Sequence, residues 1–64
     1  MTNAELVIRE KLHKAHQIMD DCEMYEEWGQ GFEHALNWVC SALYDLDPEN
    51  FDQITFKQFV YRGV

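Results

Sequence analysis

The chain has 64 residues, of which 47% are apolar, and its two Trp, three Tyr and four Phe make it too rich in core-forming side chains for a disordered acidic tail. Its 12 acidic residues outnumber its 5 Lys and Arg, which gives a formal net charge of −7 and excludes the cationic stripe that direct nucleic-acid binding requires. A chain this short buries only about 60% of its unfolded surface. We therefore expect a single small acidic helical domain over residues 1–64 that needs help from a disulfide, a metal or a second copy.

The charges are segregated along the chain. Residues 1–14 sum to +1, from three cations against two acids, and residues 57–64 sum to +2. Residues 15–56 contain ten acids and no Lys or Arg, so they sum to −10. A body with a face of one sign attracts cationic partners and repels anionic membranes. The sequence therefore predicts binding to something basic.

The first predicted helix follows a capping-box spacing, Thr2 with Glu5. Its apolar positions then recur at intervals of 4, 3, 4 and 3 and form a seam: Ile8, Leu12, Ala15, Met19 and Cys22. This spacing is typical of one buried helix face. We expect the seam to pack either inside a helical hairpin or against a second copy of the chain.

A second, longer helix is predicted from a further apolar set: Tyr25, Trp28, Phe32, Leu36, Val39, Leu43 and Leu46. The turn before it has two candidate positions. Asp20 with Glu23 has the spacing of a new helix cap, and Gly29, Gln30 and Gly31 form the other candidate. We favour residues 20–23. Small residues then lie along one side of the second helix, as at a tight helix contact: Gly31, Ala35 and Ala42.

The third element is predicted to start at Asp47, Pro48 and Glu49, which supply a capping side chain, a preset backbone angle and an acid. Thr55 and Gln58 have the spacing to restart a helical turn. Aromatic and branched side chains then face the hairpin: Phe56, Phe59, Val60 and Tyr61. The predicted fold is all-α, a two-helix hairpin with a short C-terminal third helix.

The segment from Asp47 to Phe59 resembles an EF-hand calcium loop. With Asp47 at the first loop position, Ile54 falls at the usual apolar site and Gln58 at the last ligand position. The resemblance implies calcium ligation, but Gln58 replaces the bidentate glutamate and Asp52 replaces the invariant glycine. We therefore expect no calcium binding here.

Other chemical sites are weakly supported. Glu10 and His13 have the spacing of a carboxylate-bridged iron site, which needs a second such motif. His13 and His16 are instead interpreted as part of a solvated basic helix face. Cys22 and Cys40 are not spaced as C-x-x-C, and both are interpreted as reduced core thiols. We predict no catalytic residues, cofactor or metal, and a protein that is not an enzyme.

Taking about 100° per residue, the acids of the second helix form two rows outside its core face. The predicted partner-binding residues are these acids, further acids near both helix ends and two aromatics outside the core face: Glu23, Glu26, Glu27, Glu33, Trp38, Tyr44, Asp45, Asp47, Glu49 and Asp52. Both aromatics have two interpretations, as interface anchors or as side chains that pack under the third helix.

The function predicted from these features is a non-enzymatic interaction protein that binds a basic surface on another macromolecule, in competition with nucleic acid. In size, acidity and lack of catalytic residues the chain is similar to the small inhibitors that bacteriophages and mobile elements direct at host enzymes. The alternative is a homodimeric structural or regulatory module whose acids serve solubility. We predict a cytoplasmic protein without a membrane segment, because its apolar run at Leu6, Val7 and Ile8 is short.

Overall fold

The computed structural model describes residues 3–64, apart from the side chain of Tyr25. It contains three helices: α1 at Asn3–Asp21, α2 at Tyr25–Leu46 and α3 at Gln53–Arg62. No strand occurs among the described residues. The predicted all-α hairpin with a short C-terminal third helix is confirmed. Thr2, half of the predicted capping box, lies outside the described residues.

The turn between α1 and α2 occupies residues 22–24. Glu23 takes a left-handed backbone angle, with φ of 54°, and the backbone N–H of Met24 donates to the Met19 carbonyl at 3.0 Å. The favoured position of the turn is therefore confirmed, and Gly29 and Gly31 lie inside α2. The predicted cap is wrong, because the residue before α2 is Met24 and makes no side-chain capping bond.

The start of α3 differs from the prediction. Asp47 ends α2 instead of beginning a helix, and Pro48 and Glu49 lie in the loop that follows. Asp52 caps α3: its Oδ1 accepts from the backbone N–H of Ile54 at 3.0 Å, and its Oδ2 accepts from the Thr55 hydroxyl at 2.9 Å. An aspartate that satisfies the free N–H groups of the first turn determines where the helix begins.

The core lies where α2, the loop before α3, and α3 meet. Its buried side chains are Leu36, Cys40, Leu43, Phe51, Phe56 and Val60, and partly buried side chains of α1 pack against them. The prediction that Phe56, Phe59, Val60 and Tyr61 face the hairpin is confirmed, since all four are buried or half-buried. The core assignment is wrong for three residues, because Cys22, Trp28 and Leu46 are exposed.

Helix α3 returns along α1 and is held there by polar and aromatic contacts. The Nδ1 of His13 donates to the Val60 carbonyl at 2.8 Å, because a carbonyl can only accept. The Arg9 guanidinium lies 4.0 Å from the centre of the Phe59 ring, and the ring of His16 meets Tyr61 edge to face at 4.9 Å. The predicted solvated face of His13 and His16 is therefore wrong: both rings are half-buried against α3.

The small residues of α2 do not mediate a tight contact within the chain. Gly31, Ala35 and Ala42 are all exposed. A Cβ added at Gly31 would meet no other atom within 4 Å. The predicted close approach of a neighbouring helix is therefore wrong for this chain by itself.

Candidate macromolecular interface

The acids of α2 lie in two straight rows on the outside of the molecule. The helix carries four carboxylates, Glu26, Glu27, Glu33 and Asp45, and no Lys or Arg. All four are exposed. At about 100° per residue, Glu26 and Glu33 lie about 80° around the helix from the buried side, and Glu27 and Asp45 lie opposite it.

Each row includes one exposed aromatic side chain. Tyr44 falls within about 20° of Glu33 on the helical wheel, and Trp38 falls within about 20° of Glu27 and Asp45. We call these the Glu26 row (Glu26, Glu33, Tyr44) and the Glu27 row (Glu27, Trp38, Asp45). Trp38 is 76% exposed and Tyr44 is 55% exposed. The interpretation that these rings pack under α3 is therefore wrong.

The two rows are not electrostatically equivalent. The Lys57 ammonium of α3 donates to the Asn37 Oδ1 at 2.8 Å, and Asn37 lies one turn after Glu33 on the same side of α2. A cation that is remote in sequence therefore borders the Glu26 row. Sequence reasoning missed Lys57, because only the return of α3 brings residue 57 beside residue 37.

The remaining predicted site residues lie near the ends of α2. Glu23 and Glu49 are exposed in the connections. The Asp47 Oδ1 accepts from the Asn50 side-chain amide at 3.2 Å. The hydroxyl and backbone N–H of Thr55 and the backbone N–H of Ile54 lower the pKa of the Asp52 carboxyl. Asp47 and Asp52 thus have structural partners within the chain, whereas Glu23 and Glu49 lie in exposed connections.

A cleft of about 410 Å³ opens beside the Glu26 row and is lined by Asn37, Cys40, Ser41, Tyr44 and Gln53. Burial raises the pKa of the Cys40 thiol, and the charge of Lys57 opposes this by a smaller amount. A thiol kept neutral by burial is a poor nucleophile. The cleft therefore offers polar contacts but no catalytic arrangement that we can assign.

The geometry of the EF-hand resemblance is not formed. Residues 53–58, the second half of the expected calcium loop, are the first turns of α3. Asp52 directs its carboxylate to the N-terminus of that helix. Within residues 3–64, no cluster of three or more His, Cys, Asp or Glu side chains is arranged to hold a metal ion.

Comparison with protein-family models, curated proteins and solved structures finds no match for this chain. None of the three helices, over the residues described, combines the length and hydropathy that crossing a bilayer would need. The outer surface of α2 is therefore the feature from which a function can be argued.

Proposed function

We propose that this protein is a non-enzymatic acidic interaction protein, and that the Glu27 row of α2 binds a basic surface on a macromolecular partner. The observation that carries the proposal is the placement of Glu27, Trp38 and Asp45 on one line directly opposite the core, on a helix without a cation. Carboxylates there supply attraction over a distance, and an exposed indole supplies contact area at the centre of an interface.

The spacing of the charges favours a partner that is itself elongated. Glu27 and Asp45 are 18 residues apart on one helix, which corresponds to about 27 Å at about 1.5 Å per residue. A basic groove that normally holds nucleic acid offers cations over such a length. We therefore propose competition with nucleic acid for a basic groove, in the cytoplasm, as the mode of action.

The test begins with immobilised protein and a lysate of the native host, from which partners are eluted with a salt gradient. A partner held by the acidic row elutes as ionic strength rises. Binding kinetics are then measured at two salt concentrations for the wild type, for Glu27→Lys with Asp45→Lys, and for Trp38→Ala. We expect the charge reversal to reduce the association rate at least about tenfold at low salt, and Trp38→Ala to increase the dissociation rate.

Two control variants make the same change in net charge at other exposed sites. Asp20→Lys with Asp21→Lys reverses two acids on α1, and Glu26→Lys with Glu33→Lys reverses the row beside Lys57. If all three double reversals weaken binding equally, net charge alone is responsible and the Glu27 row is not the site. If none weakens it, acidic recognition itself is wrong.

A further inference from the structure

The exposed apolar side chains of the hairpin concentrate on the side that α3 does not cover. Helix α3 contacts α1 through Arg9 and α2 through Asn37. On α1, Ile18 lies nine residues after Arg9, about 180° around the helix. On α2, Trp28 and Leu46 lie nine residues before and after Asn37, again about 180° away.

These side chains are large and open to solvent. Ile18 is 55% exposed, Trp28 57% and Leu46 79%. The small residues Gly31, Ala35 and Ala42 lie between Trp28 and Leu46 on the same side of α2, all exposed. We call the surface formed by Val7, Ile18, Trp28, Gly31, Ala35, Ala42 and Leu46 the uncovered side of the hairpin. Large residues at its ends and small ones between them allow another helix to approach closely.

The area of the molecule indicates how much surface is left without cover. The chain exposes 4935 Å², whereas a compact monomer of 7.7 kDa exposes about 4300 Å². Its radius of gyration is 11.8 Å, against about 10.7 Å for a compact domain of this length. The excess of about 600 Å² is close to the 600–800 Å² per partner that a small specific interface buries.

We propose that a second copy of this chain covers the uncovered side, so that two hairpins form a four-helix dimer with a two-fold axis parallel to the helices. This axis places α1 of one copy over α2 of the other. The seam predicted from sequence is not the interface, because its residues Ile8 and Leu12 pack against the chain's own core.

Charge selects this arrangement over one that pairs α2 with α2. Helix α2 has four acids and no cation, so a pair of α2 helices would bring like charges together. Helix α1 carries Arg9, Lys11 and Lys14, and Lys11 lies about 200° from Arg9 around the helix, on the uncovered side. An α1 to α2 pairing therefore sets the cations of one copy against the acids of the other.

The register of the hairpin brings matching side chains together. The His16 ring meets the Phe32 ring at 5.8 Å, so Ile18 is level with residue 30 and Val7 with residue 41. A two-fold axis parallel to the helices preserves these levels. Ile18 of the second copy then lies within one turn of Trp28, and its Val7 lies beside Ala42. The Glu27 row remains on the outside of each copy.

The test is sedimentation of the full chain from micromolar to millimolar concentration. We expect the mass of the wild type to rise toward twice that of the monomer. Ile18→Gln with Trp28→Gln should increase the dimer dissociation constant by about tenfold or more, since central contacts dominate an interface. The matched control is Ile54→Gln with Tyr44→Gln, which removes an equally exposed pair from other surfaces and should leave the constant unchanged. Circular dichroism of each variant checks that its helices are retained.

Two further measurements establish where the copies meet. In a Trp38→Phe background, the emission of Trp28 should shift to shorter wavelength as concentration rises, because dimerisation buries that ring. Lys11→Glu with Lys14→Glu should weaken the dimer, which an α2 to α2 pairing would not show. A wild type that stays monomeric throughout, an equal loss in the control pair, or an unchanged Trp28 emission would each overturn the proposal.

Discussion

At the scale of single residues, the two thiols differ in access to solvent. Cys22 lies in the turn between α1 and α2 and is exposed, whereas Cys40 is buried in the core beside Leu36 and Leu43. Burial also raises the pKa of the Cys40 thiol, so less of the reactive thiolate forms near neutral pH. The two cysteines should therefore be distinguishable by reaction rate.

We expect one equivalent of thiol to react quickly with Ellman's reagent in the folded protein, and the second only after denaturant is added. Cys22→Ser should remove the fast equivalent and Cys40→Ser the slow one. The measurement is the absorbance of the released thiolate over time. Two fast equivalents in the folded wild type would contradict the burial of Cys40.

Asp52 makes the stability of α3 depend on pH. Hydrogen bonds from Thr55 and Ile54 hold the pKa of its carboxyl below the ordinary value of 3.8. Because the folded pKa is the lower one, its stabilising contribution is present above the ordinary value and is lost as pH falls through the folded pKa. Asp52→Asn keeps a capping oxygen but lacks the charge.

We therefore expect Asp52→Asn to melt several degrees below the wild type at pH 7, and the difference to shrink once the pH falls below the ordinary aspartate range. Thermal denaturation at a series of pH values measures this. Glu49→Gln removes an exposed acid of the same loop that caps no helix and should not lower the melting temperature. A difference for Asp52→Asn that persists in acid would mean that lost geometry, not lost charge, is responsible.

At the scale of elements, the glycines of α2 and of the α3 end have opposite roles. Gly31 lies inside α2, where a Cβ would meet nothing within 4 Å. Gly63 ends α3 with φ of 79°, and a Cβ there would lie 2.7 Å from the His13 Nε2. Only Gly63 therefore needs to be glycine for the fold of one chain.

We expect Gly31→Ala to raise the free energy of unfolding by about 0.5–1 kcal/mol, because alanine restricts the unfolded chain and favours helix. Gly63→Ala should lower it by more than about 1 kcal/mol, through the strained backbone angle and the crowding of His13. Urea denaturation at low protein concentration measures both. A loss of stability in Gly31→Ala would show that some contact already occupies that side of α2.

At the scale of the whole molecule, the acids oppose the compact state. The net charge of −7 is carried by 64 residues, and α2 contributes four of the acids without a compensating cation on the same helix. Repulsion of this kind is screened by salt. The contacts of α3 with α1 are by contrast largely aromatic and hydrogen-bonded, and they are short in range.

We therefore expect the melting temperature to rise when sodium chloride is added to a solution of low ionic strength. The Glu27→Lys, Asp45→Lys variant relieves part of the repulsion and should show a smaller rise. Differential scanning calorimetry at several salt concentrations measures both. A melting temperature that falls as salt is added would mean that attractive ion pairs outweigh the repulsion.

The sequence alone determined the helices, the position of the turn and the acidity of α2, because helical spacing and local charge are properties of neighbouring residues. It did not determine which apolar residues are buried. Leu36 and Leu46 share one periodic pattern, yet α3 covers the side of Leu36 and leaves Leu46 exposed. The burial of His13 and His16 and the approach of Lys57 to Asn37 also depend on the return of α3 along α1. These features join residues far apart in the chain, so only the tertiary structure decided them.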